Sequence, residues 1–109
     1  MAYTDGIKAT PDTLRSIDSA TFTGAYQALG TALTRPIRLV KILNDSSVPV
    51  TVSWDGTNNH DYLPANSFAL YDLTANEVMQ DGWFIGVGTQ FYVKGAAGVR
   101  YVYLVCIGA

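Results

Sequence analysis

Ile37-Arg38-Leu39-Val40-Lys41-Ile42-Leu43-Asn44 and Val48-Pro49-Val50-Thr51-Val52-Ser53-Trp54 decide how this chain is read. In the second run Val48, Val50, Val52 and Trp54 share one side of an extended chain, while Pro49, Thr51, Ser53 and Asp55 take the other. Strand side chains alternate between faces, so this run predicts a strand with one apolar and one wet face. The short polar stretch Asp45-Ser46-Ser47 between the two runs predicts a β-hairpin. No comparable stretch at helical spacing occurs, and an all-β module is the starting expectation.

Working outward, Ile17–Thr23, Tyr26–Leu29, Ser67–Leu73, Trp83–Val87, Gln90–Lys94 and Val99–Ile107 read as further strands, broken by glycine, proline and asparagine. About eight strands in one small domain suit a sandwich, a jelly roll or a small barrel. In the last run Val99, Tyr101, Tyr103 and Val105 line one face, yet Val102, Leu104 and Cys106 make the other face apolar too. A strand apolar on both sides is either central between two layers or covered by another subunit. Met1–Ala9 shows no periodicity and reads as an extended arm. Thr10-Pro11-Asp12 carries a helix-start signature, predicting one or two helical turns, and Thr74-Ala75-Asn76-Glu77 fits a capping box. The domain reading is an N-terminal arm over 1–15 and a β-sandwich over 16–109.

With 109 residues the chain suits one domain, and its 49% apolar against 15% charged residues is an excess that needs a place to be buried. Copies of the chain, or another protein, are the simplest destination. A net charge of −2 argues against nucleic acid, and Arg35, Arg38 and Lys41 form no single basic stripe. Cys106 is the sole cysteine, which excludes an intrachain disulfide and suggests a small buried hydrophobe. Neither a signal peptide nor an apolar run long enough to span a membrane is present, so a protein made in a reducing compartment, with no membrane partner, is expected.

Reactive groups are few. His60 is the only histidine and Glu77 the only glutamate. A catalytic triad would have to use His60 with Asp61, Asp55 or Asp72, and no nucleophile elbow exists, so a turn-stabilising imidazole and no enzyme is the reading. Asp55-Gly56-Thr57-Asn58-Asn59-His60-Asp61 offers oxygen ligands for calcium but lacks the spacing and the bidentate glutamate of an EF-hand. A tight connection, with Asp-Gly and Asn-Asn supplying positive backbone angles, is the simpler account. Gly86-Val87-Gly88 neither opens a helix nor precedes a lysine, which leaves it to strand ends and turns. No catalytic, metal or cofactor site is expected. Trp54 reads as core, and Trp83 as the freer tryptophan. Tyr71, Tyr92, Val102 and Leu104 are the candidate residues for an oligomer or coat interface.

Thr23-Gly24-Ala25-Tyr26-Gln27-Ala28-Leu29-Gly30, Asn44-Asp45-Ser46-Ser47, Val50-Thr51-Val52-Ser53-Trp54-Asp55-Gly56, Asp61-Tyr62-Leu63-Pro64-Ala65, Phe68-Ala69-Leu70-Tyr71-Asp72 and Gly88-Thr89-Gln90-Phe91-Tyr92-Val93-Lys94-Gly95 follow one another in an order that resembles the small capsid decoration (cement or staple) proteins of short-tailed bacteriophages. The resemblance spans roughly Ser19 to the C-terminus. It implies a jelly-roll-like antiparallel β-sandwich of about eight strands. It also implies a virion protein on the outer capsid surface, made in the host bacterial cytoplasm. Such a protein bridges neighbouring subunits of the major capsid (coat) protein and self-associates as a homodimer or homotrimer. No catalytic residue carries over. A phage tail or fibre-adaptor module, and a carbohydrate-binding module stacking sugars on Trp83, Tyr62 or Tyr71, are the competing expectations.

Overall fold

Two long strands, Ile37–Asn44 and Tyr101–Gly108, lie side by side and organise everything else. The computed structural model describes residues 9–73 and 85–108. Among them the strands are β1 (Thr10–Pro11), β2 (Arg15–Asp18), β3 (Gln27–Ala28), β4 (Ile37–Asn44), β5 (Val50–Ser53), β6 (Asp61–Leu63), β7 (Ser67–Asp72), β8 (Tyr92–Lys94) and β9 (Tyr101–Gly108), with one 3₁₀ turn at Ser19–Thr21. Every pairing is antiparallel. Sheet A runs β1-β9-β4-β7, with β2 also pairing with β9; sheet B runs β3-β8-β5-β6.

Taking β1 and β2 as one position, the order is first-eighth-third-sixth in one sheet and second-seventh-fourth-fifth in the other. That is the jelly roll, two interlocked Greek keys whose chain alternates between stacked sheets. The all-β sandwich expected from the strand pattern is therefore the architecture found. Alternate residues fill the space between the sheets: Ile42, Val40, Val102, Leu104 and Cys106 from sheet A, and Val50, Val52, Leu63 and Val93 from sheet B. Phe22, Leu29, Leu33 and Phe91, from the connecting segments, close the ends of this core.

The hairpin expected between β4 and β5 does not form. Both edges of β4 are already taken by β7 and β9, while β5 pairs with β6 and β8 in the other sheet. Stacked sheets lie ~10 Å apart, a gap that a five-residue link such as Asp45–Pro49 easily spans. Asn44 makes the crossing possible. Fully buried at the end of β4, it donates from Nδ2 to the carbonyls of Val48, Leu63 and Pro64 at 2.9, 3.2 and 3.1 Å. Its Oδ1 accepts from the Ser46 amide at 3.1 Å and from Ser46 Oγ at 2.5 Å. One side chain thus holds the crossing link and the far sheet together. The true hairpin is β5–β6, closed by the turn-rich loop after Ser53.

The helical turn expected at Thr10-Pro11-Asp12 is also absent. Thr10 and Pro11 pair with Gly108 and Ile107 of β9, so this segment is the first piece of sheet A. The strand expected at Ile17–Thr23 is shifted to Arg15–Asp18, because Asp18 accepts from the Ala20 amide and starts the 3₁₀ turn. The Thr74–Glu77 capping box lies outside the described residues, as do Trp83 and Phe84 of the expected Trp83–Val87 strand; of its described part only Ile85 pairs, in a single bridge to Ile37, and the chain turns directly after it.

Replacing Asn44 by alanine strands carbonyls of the crossing link and of the far sheet, and an unsatisfied buried polar group costs ~1–3 kcal/mol. Asn44→Ala is expected to lose about 2–3 kcal/mol of unfolding free energy in urea titrations. A loss below about 0.5 kcal/mol, the level of an ordinary surface change, would show that the crossing does not depend on it.

Candidate functional site

His60, Asp55 and Asp61, singled out from the sequence, all hold local structure. His60 accepts the Trp54 amide on Nδ1 at 2.9 Å, and its own amide donates to Val52 O at 2.8 Å, which pins the β5–β6 loop. The Asp55 carboxylate accepts from Ser53 Oγ, from the Thr57 and Asn58 amides and from Asn58 Nδ2. These bonds, led by the Asn58 and Thr57 amides, hold its pKa well below the usual carboxylate range. Gly56 supplies the positive φ of this turn, at +81°, and a side chain there would press on the Tyr92 ring. Asn58 and Asn59 do not take positive φ as expected; Asn59 instead accepts from the Tyr26 hydroxyl. Among the described residues no group of three or more His, Cys, Asp or Glu side chains is arranged to hold a metal. Gly86-Val87-Gly88 is a turn, with Gly88 at φ +91° and its amide donating to Leu33 O.

The four candidate interface residues do not share a surface. Val102 and Leu104 are enclosed in the inter-sheet core, because β9 is the central strand of sheet A and these positions point inward; no partner can reach them. Tyr71 is half-buried at the edge of that core, its ring tilted against Trp54 with centroids 5.6 Å apart, and its hydroxyl donates to Asp61. Burial, and then the Asp61 carboxylate, push its pKa up. Tyr92 lies on the outside of sheet B over Gly56. Trp54 sits against Phe91 at 5.1 Å, on the core side as expected, and Trp83 lies outside the described residues. Burial raises the Cys106 thiol to about 11, so it is a packing group and not a nucleophile.

What the molecule does present is two unlike sheet faces. On the outside of sheet A, residues opposite one another across the ladder form rows: Phe68, Leu43, Tyr103 and Ser16; then Leu70, Lys41 and Val105; then Asp72, Leu39 and Ile107. Phe68 is 61% exposed, Leu70 52% and Tyr101 43%. The Tyr101 and Tyr103 rings stack on one another along β9, with centroids 6.1 Å apart. The outside of sheet B is polar by contrast, with Thr51, Lys94 and Tyr62 in one row and the Lys94 ammonium 4.6 Å above the Tyr26 ring. The sequence reading left open which side of β9 is surface, because that strand is apolar on both sides. The usable signal was the preference for aromatic residues at the outward positions of β9.

A buried ion pair was also missed. Arg15, 4% exposed, donates from Nε to Thr31 O at 2.6 Å, from Nη1 to Thr13 O at 2.7 Å and from Nη2 to Ala32 O at 2.8 Å and Asp12 Oδ2 at 3.2 Å. Asp12 accepts in turn from Thr13 and from the Thr34 amide and hydroxyl. The cap-like residues expected to open a helix serve instead to latch the 31–34 segment onto β1 and β2. Gly30, at φ +71°, leaves room for the Arg15 stem, which a Cβ would meet at 2.4 Å. Compared with known proteins, the chain matches no family model, no curated protein and no solved structure.

Burial alone would raise the Asp12 carboxyl, but the Thr34 hydroxyl, the Thr13 and Thr34 amides and Arg15 outweigh it and lower the pKa from 3.8 to about 2. A carboxyl depressed in the folded state stabilises above its unfolded value, and that stabilisation is lost as pH falls through the folded value. Denaturant melts of Asp12→Asn should therefore show lower stability at neutral pH and a shallower decline between pH 3.8 and about 2 than wild type. An unchanged acid limb would remove Asp12 from the account.

Proposed function

We propose that this chain is a non-catalytic virion structural protein that binds the outside of an assembled bacteriophage capsid and bridges neighbouring coat subunits. The observation that carries the proposal is the open apolar outer face of sheet A on a rigid jelly roll whose charged and polar side chains serve its own turns. A contiguous apolar face of this kind is the mark of an assembly protein, covered by a second copy of the chain or by another subunit. The likeness of the sequence to capsid decoration proteins supplies the class of partner, and the jelly roll is the architecture that likeness implies.

The physics of cementing suits such a molecule. A rigid module that touches several coat subunits adds weak contacts into avidity through effective concentration. A ligand of the assembled shell alone stabilises that shell by mass action, because the free subunits gain nothing from it. Neither effect needs a reactive group.

Undecorated capsids of the encoding phage, mixed with the purified protein and sedimented, are expected to carry a fixed number of copies per coat subunit, with no binding to free coat protein. His60→Ala should leave this binding unchanged once the variant is shown to be folded. Shells that emerge bare at saturating protein would overturn the proposal.

A further inference from the structure

We propose that the outer face of sheet A is where two copies of this chain meet, face to face about a two-fold axis, with Lys41 of each copy received by a rim carboxylate of the other. The inference rests on the reading of the chain as an assembly protein and names the surface that does the assembling.

Three observations favour a second copy as the occupant. The first is the chemistry of the face. Phe68 and Leu70 are more than half exposed on β7, an outer strand of sheet A, and Leu39, Leu43, Tyr103 and Val105 beside them are only partly covered. Stacked against an equivalent face, they form one more sheet-on-sheet core of the kind already present between sheets A and B.

The second is area. β4 and β9 are each eight residues long. With ~3.3 Å per residue and four strand positions ~4.8 Å apart, the face covers roughly 500 Å². Two such faces remove roughly 1,000 Å² from water, the lower bound for a specific interface.

The third is charge. Lys41 is the one cation set among these rows, half-buried between Leu70 and Val105, and it makes no ion pair among the described residues. Covering it with a purely apolar partner would desolvate an unpaired ammonium, which is unfavourable. The same face carries Asp18 opposite Tyr101 and Asp72 opposite Leu39, at two of its corners. In an isologous contact residue i meets j and j meets i, so a two-fold partner returns a carboxylate for each lysine. An unrelated partner would have to bring that acid to the same place by its own design.

The consequence is a four-layer stack, sheets B-A-A-B, with the apolar faces sealed inside. Both polar faces of sheet B and both β5–β6 loops then point outward, related by the two-fold axis. A molecule of that form is bivalent, as a staple must be.

Sedimentation equilibrium of the purified chain, from micromolar to submillimolar concentration and without capsids, tests this directly. Wild type is expected to be a monomer–dimer equilibrium. Phe68→Ser and Leu70→Ser should each raise its dissociation constant by about ten- to a hundredfold, as loss of an apolar anchor covered by the second copy does. Lys41→Glu should weaken it as well, and Tyr62→Ser, on the outside of sheet B, should leave it unchanged. Phe68, Leu70 and Tyr62 point into solvent in the single copy, so the inter-sheet core is intact in these variants. A wild type that stays monomeric throughout overturns the inference, and so does a dimer sensitive to Tyr62→Ser but indifferent to Phe68→Ser and Leu70→Ser. A monomer that still coats shells overturns the dimer alone. A dimer that ignores shells overturns the capsid reading alone.

Discussion

Asn44 is the point at which one sheet hands the chain to the other. The strand that contains it is paired on both edges, so the polypeptide can continue only by leaving sheet A. Leaving a sheet exposes backbone donors and acceptors in the one region that water does not enter, and these must be satisfied or the fold loses stability. A single carboxamide meets that demand, because it carries two donors and an acceptor in a fixed plane. It reaches the crossing link through Ser46 and Val48, and the far sheet through Leu63 and Pro64. With that junction in place, β5 is delivered to sheet B, the β5–β6 hairpin can close, and β7 returns to the edge of sheet A.

A second closure operates at the opposite edge. Arg15 and Asp12 fasten the 31–34 segment to the start of the chain through the carbonyls of Thr31 and Ala32 and the amide and hydroxyl of Thr34. A buried ion pair is weak as a source of stability in its own right, since two charges must be desolvated. Its use here is geometric. Each of the guanidinium's three nitrogens is turned on a different part of the backbone, which fixes where β1, β2 and the segment before β4 lie relative to one another.

The two outer faces divide the labour of the molecule. Sheet B spends its tyrosines, Lys94 and the loop carboxylates on local contacts and keeps a wetted surface. Sheet A sets Lys41 among aliphatic and aromatic rows, with Ser16, Asp18 and Asp72 at their ends. The jelly roll makes this division possible because every strand of sheet A presents one face to the core and one outward, and in β9 both are apolar.

Alternation in Val48–Trp54 and the punctuated strand runs were enough, without any structure, to establish the all-β class, the strand span Ile37–Asn44 and the inward set of β5. Period two is a local property of the backbone, and a local reading recovers it. The burial of Cys106 and the structural use of His60 were legible too, since an apolar run and a polar turn each leave a lone residue little else to do. Which strands pair was not legible. A short polar link is equally good chemistry for a hairpin and for a corner between sheets, and the occupied edges of β4, which lie far away in the chain, make the choice. For the same reason Val102 and Leu104 looked as available as Tyr101 and Tyr103. On a strand apolar on both sides, only the position of the second sheet says which side is core and which is surface.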